Sequence, residues 1–284
     1  MAYFSKCFQL INNKKVYYVH IDHKIRKNST KEAKDLKYFI KKYQINCEVF
    51  SWKKNKKIRT TQKNARIARY SLLEKFCKKQ KINALLLAHH QDDVYENFFI
   101  RMLRGSGIKG LTSFSSKDTY INKNLKGYRP FLDISKETLL KVTNKVFGYF
   151  IDDPSNNNNE FLRIRIRNLL NNLKHEGFNK EKFDLTYCNL HSANETLKYY
   201  SDQNIVKNTN CLSNNKKKTI IINVKFFKQP NEIVLTSLSS LISKMNRKYY
   251  PPRGKIMLKK INEIRGNSFK KTTVGGCIIE RVNN

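Results

Sequence analysis

Between Leu85 and Gly110 the chain reads LLLAHHQDDVYENFFIRMLRGSGIKG, and its centre holds two imidazoles and three carboxylates: His89, His90, Asp92, Asp93 and Glu96. The apolar run Leu85–Ala88 before them has the character of a buried strand. The segment Val94–Leu103 after them is apolar nearly all round (Phe98, Phe99, Ile100, Met102, Leu103), which predicts a buried helix. Titratable groups caught between two such elements lie where ligands bind in an open parallel sheet, at a strand's carboxyl end. Asp93-x-x-Glu96 also fits a capping box, and acids in a first helical turn suit the helix dipole. One carboxylate pair can do both jobs. Gly105-x-Gly107-x-x-Gly110 follows a helix rather than a strand, so it reads as a helix stop and turn, not a dinucleotide fingerprint.

Other candidate groups need elements to place them. Val16–Ile21 is β-branched and aromatic, a strand ending in the polar pair Asp22-His23. Ser29–Tyr43 is an amphipathic helix with Leu36, Phe39, Ile40 and Tyr43 inward and a capping box Ser29-x-x-Glu32. Cys47–Trp52 is a second strand, Lys53–Lys57 a solvated loop, and Thr60–Lys79 a helix with Arg66 and Arg69 on one face. With few acids nearby, that pair can face phosphate or form a salt-bridged surface. The β-α-β-α-β alternation closed by Leu85–Ala88 predicts a parallel sheet flanked by helices. Ser135–Phe147 and Glu160–Leu173 are helices. Along the second, Arg163 and Arg167 sit on one shoulder of the apolar stripe and Arg165 on the other. These arginines can pair with Asp152 or Asp153, or bind phosphate or carboxylate. After about Lys174 the character changes. A helical stretch, Asp184–Gln203, leads into the polar Asn204–Lys218, which reads as a linker. A strand (Thr219–Phe227), a helix (Glu232–Met245), the segment Tyr249–Arg253 and a basic helix (Lys255–Arg265) follow, a surface suited to nucleic acid by stacking and charge. The divisions expected are 1–135, 136–203 and 204–284.

The net charge of +35 implies a polyanionic partner, nucleic acid ahead of membrane, although Lys, Asn, Ile, Tyr and Phe are enriched together, as AT-rich codons would produce. No run is long and apolar enough for a membrane span, and no signal peptide is evident, so a cytoplasmic location is expected. Six dispersed cysteines without C-x-x-C argue against a zinc ribbon, a redox pair or a cysteine-held cluster.

Eight pieces carry a resemblance: VHIDHKIR, NARIARYSLL, LLLAHHQDDVYEN, RMLRGSGIKGL, YRPFLDISK, IDDPSNNNNEFLRIRIRNLL, YYPPR and VGGCIIER. Together they are similar to the tRNA(Ile)-lysidine synthase family of PP-loop ATP pyrophosphatases. The resemblance implies a PP-loop, Rossmann-like α/β fold with a smaller, mainly helical α+β C-terminal part. It implies adenylation of C2 of the wobble cytidine in a CAU-anticodon tRNA(Ile), then displacement of AMP by free L-lysine, so that the tRNA reads AUA. It assigns lysine binding to Asp93 and Glu96, catalysis to these with Arg163, Arg165 and Arg167, and cofactor binding to His20, Asp22, Arg66, Arg69, His89 and His90. ATP and Mg2+ are expected, with no residue assigned as a metal ligand, and a homodimer is one expected assembly. Two departures stand out. Ile164 lies where the family often has Asn. The family's Ser-Gly-Gly-x-Asp-Ser phosphate loop and its strand would precede Met1-Ala2-Tyr3. Either the start lies at an internal Met, or the chain is a remnant without ATP chemistry. The absent strand would leave apolar edge surface. The competing functions are a non-catalytic RNA-binding protein and another PP-loop tRNA-modifying enzyme such as a thiolase.

Overall fold

Tyr18–Asp22 (β1) and Cys47–Ser51 (β2) pair in parallel, Tyr18 opposite Cys47 through Asp22 opposite Ser51. A parallel pair needs a crossover, and Ser29–Lys41 (α2) supplies it. Its inward stripe buries Ile40 against Ile45 and Cys47, with Leu36, Phe39 and Tyr43 packed around them. Gln62–Lys79 (α3) meets the same strands through Phe76, whose ring lies 5.5 Å from that of Phe50 and 5.8 Å from that of Tyr17. Ala2–Asn12 (α1) precedes β1; its Tyr3 and Phe4 rings pack edge-on against Phe147 and Phe131. The computed structural model describes residues 1–24, 28–52, 62–114, 117–121, 125–150, 159–214, 217–246, 252 and 254–282.

Ala84–Leu86 (β3) opens a second sheet. It pairs in parallel with Lys126–Tyr128 (β5), which pairs in antiparallel with Asp118–Tyr120 (β4). The molecule is therefore a mixed α/β protein with small parallel sheets. Among the described residues the strands do not join into the single parallel sheet that the alternation predicts; β1 and β3 share no ladder. The strand expected to be buried over Leu85–Ala88 is instead short and half-open, with Leu86 44% exposed.

Gln91–Met102 (α4) follows β3, and Lys136–Phe147 (α6) and Leu162–His175 (α7) complete this part of the chain. The helix expected to be buried through its apolar residues is only partly so in α4, where Phe98, Phe99 and Ile100 are half-buried. Its buried residues are Gln91, Asp93 and Glu96, whereas Met102 is exposed. Helix α4 ends at Met102 with Leu103 as its cap, and Gly105 takes φ 67°, the left-handed stop expected of that glycine. The capping box anticipated at Ser29-x-x-Glu32 does not form. Asn28 occupies the cap without a side-chain bond, and Ser29, the first helical residue, donates its hydroxyl to Asp22.

The chain folds as two compact units, Met1–Gly105 with Ser113–His175, and Ser106–Thr112 with Glu176–Asn284. In the second, Ile108–Leu111 (α5) packs on the long Lys180–Asn208 (α8). Asn204–Lys218, read as a linker, is the end of α8 and most of a hairpin, Thr209–Asn214 (β6) with Lys217–Ile222 (β7). Strand β7 stops at Ile222, short of the expected Phe227, since Val224–Phe226 turns into a 3-10 helix capped by the Asn223 side chain. Asn231–Asn246 (α9), Gly254–Arg265 (α10) and the hairpin Lys271–Val274 (β8) with Cys277–Glu280 (β9) follow. Phe226, Val234, Leu238, Met257 and Ile261, each at most 1% exposed, form the core. Buried Ser237 on α9 donates to the Ser201 and Ile233 carbonyls and accepts from Asn204, pinning α9 to α8. Tyr249–Pro251 and Arg253 lie outside the described residues.

Candidate functional site

The turn between β3 and α4 is held by backbone bonds beyond the sheet proper. Leu87 N–H donates to the Tyr128 carbonyl, His90 bridges Phe131, and Gln91 N–H donates to the Ile134 carbonyl. The start of α4 is thus fixed on the chain that continues from β5. His90 is the N-cap in extended conformation, which makes Asp93 the third helical residue rather than the cap predicted from sequence. One Asp93 carboxylate oxygen accepts the His90 backbone N–H at 3.0 Å. Asp92 turns outward. Burial would raise its carboxyl, but the His90 side chain and the Lys136 backbone N–H, 2.7 Å away, hold it down to about 2.

Helix α7 brings the arginines. Arg163 donates through Nη2 to the other Asp93 oxygen at 2.6 Å and through Nε to Glu96. Arg167 donates through Nε to the second Glu96 oxygen. Four residues apart, the two arginines share a face, as their spacing predicts. Arg165 points elsewhere, to the carbonyls of Asn159 and Glu160. Asp152 and Asp153, the other acids expected to pair with these arginines, lie outside the described residues. Among the described residues, Arg163 and Arg167 pair with Asp93 and Glu96, the acids assigned to lysine. Glu96 has 2% side-chain exposure and Arg163 45%, so the acid is the floor of the cluster and the arginine its rim.

A second group of charges adjoins this one. Burial disfavours the Arg69 cation, and the Arg66 and Arg163 charges add to that, while Tyr70 opposes it. The guanidinium groups of Arg66 and Arg69 lie 5.0 and 5.8 Å from the Tyr70 ring centre. His89 is pushed down to about 4 by burial; Asp93 works against this, and Arg129, Arg66 and Arg163 add to it. It is a neutral imidazole at neutral pH. At the end of β1, His23 is lowered by burial and by Arg69, and His20 by burial. The structure thus brings Arg66, Arg69, His89 and His23 to the edge of the acid–arginine cluster, and mutually repelling cations there make a receptive place for an anion. Asp22 does not offer its carboxylate to this space. It accepts from Lys24 N–H and from the Ser29 and Thr30 hydroxyls, and so organises the turn into α2.

Sequence reasoning passed over Arg129 and Phe114. Arg129 is buried, stacked 4.5 Å over the Phe114 ring, and that ring meets His89 edge-on at 5.2 Å. The signal available was a lone arginine directly after β5, before Pro130.

Residues 2–174 match the PP-loop domain, and the chain belongs to the PP-loop family. Its curated relatives include three tRNA(Ile)-lysidine synthases. That of Orientia tsutsugamushi (strain Boryong) is 37% identical over 54% of this chain and 34% of its own length. That of Wolbachia pipientis wMel is 30% identical over 92% of this chain and 60% of its own, and that of Rickettsia typhi (strain ATCC VR-144 / Wilmington) 29% identical over 100% of this chain and 65% of its own. The chain thus spans from 34% to 65% of the length of these relatives. Among solved structures, the U34-tRNA thiolase NcsA from Methanococcus maripaludis with its 4Fe-4S cluster covers 61% of both chains at 15% identity and a TM-score of 0.47.

Proposed function

We propose that the chain acts as a tRNA(Ile)-lysidine synthase, a cytoplasmic ligase that uses ATP to join lysine to C2 of the wobble cytidine in the CAU-anticodon tRNA(Ile). The observation that carries this reading is the meeting of Asp93 and Glu96 with Arg163 and Arg167. One site then holds carboxylates suited to an ammonium and guanidinium groups suited to phosphate. Family membership and the names of the relatives support the same reading.

The division of labour follows from the chemistry of each group. ATP is a substrate. Its phosphates suit the cationic flank of Arg66 and Arg69, where adding an anion relieves repulsion. In the first step the cytidine C2 oxygen attacks the α-phosphorus and diphosphate leaves. In the second the lysine amine attacks C2 and AMP leaves. Asp93 and Glu96 hold the lysine cation, and Arg163 and Arg167 neutralise phosphate charge as it develops. Arg165, bonded to Asn159 and Glu160, shapes the start of α7 rather than touching substrate. The described residues do not fit a protein-held magnesium ion. Among them no three His, Cys, Asp or Glu side chains cluster suitably, and Asp22, Asp93 and Glu96 are engaged elsewhere.

The test is the full chain with ATP, L-lysine and a tRNA(Ile) transcript bearing CAU. AMP release that requires both lysine and the tRNA, with a matching mass gain at the wobble cytidine, is expected. Asp93→Asn should cut the rate at least about a hundredfold, on the scale of losing a transition-state contact. A second reading is favoured by the internal pairing of Asp93 and Glu96 with arginine: an RNA-binding protein without catalysis. It predicts no AMP release, and RNA binding indifferent to Asp93→Ala.

A further inference from the structure

In this structure the carboxylates assigned to lysine are shut by the cations assigned to phosphate. Asp93 and Glu96 have their outward oxygens on Arg163 and Arg167, and Glu96 is 1% exposed, so an incoming ammonium meets a guanidinium first. A buried carboxylate stripped of its partner is costly, so the arginines leave only if they find an anion and the acids find a new cation. We propose that Arg163 and Arg167 are an anion-released latch: a phosphate-bearing ligand draws them off, and only then do Asp93 and Glu96 accept the amine. The inference rests on the proposed function and adds to it an energetic coupling between the two substrates.

Four features support the exchange. Every charged group keeps an opposite partner in both states: the two guanidinium groups trade two carboxylates for a phosphate dianion, and an ammonium between Asp93 and Glu96 covers one of their two charges. Arg163 is at the rim, 45% exposed, on a long side chain that can swing without moving α7. Asp93 keeps its bond from the His90 N–H when Arg163 leaves, so the receiving site is already oriented. Arg69, crowded by Arg66 and Arg163, gives the anion a reason to enter on that side. Linkage then requires reciprocity: whatever the anion does for lysine affinity, lysine does for the anion.

Calorimetric titration of L-lysine into the full chain, without and with saturating inorganic diphosphate, reads the coupling directly. Lysine binding should tighten at least about tenfold with diphosphate, and diphosphate binding should tighten by the same factor with lysine. Arg163→Gln should bind lysine tightly without diphosphate, its coupling falling toward onefold. Arg167→Gln should move the same way, and circular dichroism selects whichever variant folds. Lysine affinity in the wild type that ignores diphosphate, or full coupling retained in a folded variant, overturns the latch while leaving the proposed function standing. Absence of lysine binding under every condition overturns both.

Discussion

Glu96 is the residue on which the site turns. It is a carboxylate with 2% side-chain exposure held by two guanidinium groups, and removing its charge leaves both arginines facing a neutral amide. Glu96→Gln should lower unfolding free energy by about 2–3 kcal/mol in urea denaturation, less than for a fully buried pair because Arg163 is partly solvated. His89 sets a pH dependence of definite sign. Folded, it titrates near 4, against 6.5 for the free imidazole, so the unfolded chain takes up the proton first as pH falls. Its contribution to stability is whole above pH 6.5 and is lost as pH drops toward 4. His20 and His23 are shifted the same way. Asp92 acts only lower, between 3.8 and about 2. The urea midpoint should therefore fall from pH 7 to pH 4.5, and His89→Gln should flatten that fall. Asp93, Glu96, Arg163 and Arg167 were legible as candidates, because their types and helical spacing are local facts. That they would be each other's partners was not legible, since α4 and α7 meet across about seventy residues of intervening chain. Arg129 stayed hidden for the same reason, as its stacking on Phe114 is purely tertiary.

Among the elements, those with clear periodicity were readable, whereas endings and the short elements α5, β4, β5 and β6 were not. The stripe Leu36, Phe39, Ile40 and Tyr43 announced α2, and the hydrophobic strands announced β1 and β2, because periodicity reports burial. The cap of α2 departs from its motif because the helix starts at Ser29 itself, with Asn28 as the cap, and the Ser29 hydroxyl donates to Asp22. The polar stretch after α8 has the composition of a linker, yet the β6–β7 ladder satisfies its backbone and makes it a hairpin. The β8–β9 turn shows how firmly a short element can be specified. Gly275 has φ 61°, and a Cβ there would lie 2.6 Å from Ile242 Cγ2 and 2.8 Å from Pro252 Cγ. Gly275→Ala should cost about 2–3 kcal/mol, combining a strained backbone with overpacking. Thermal melts read by circular dichroism check this. An unchanged melting temperature would show that the hairpin adjusts freely.

At the scale of the molecule, the second compact unit resumes at Glu176, close to the change of character after Lys174 and away from the expected divisions at 135 and 203. The charge of +35 predicts the salt response. Transfer RNA affinity should drop roughly a thousandfold or more between 50 and 200 mM salt if six to ten phosphates are contacted. Filter binding across a salt series measures this, and a flat response would leave the lysine excess to codon drift alone. The same charge bears on the split sheets. Among the described residues β1 has β2 as its only ladder neighbour, and β3 has only β5, beside the exposed Leu86. Such margins can template the extended backbone of another molecule. Mutual repulsion between strongly cationic copies keeps them apart, and electrolyte weakens it. Raising ionic strength without RNA should therefore drive turbid, fibre-prone assembly, and a polyanion that coats the protein should dissolve it.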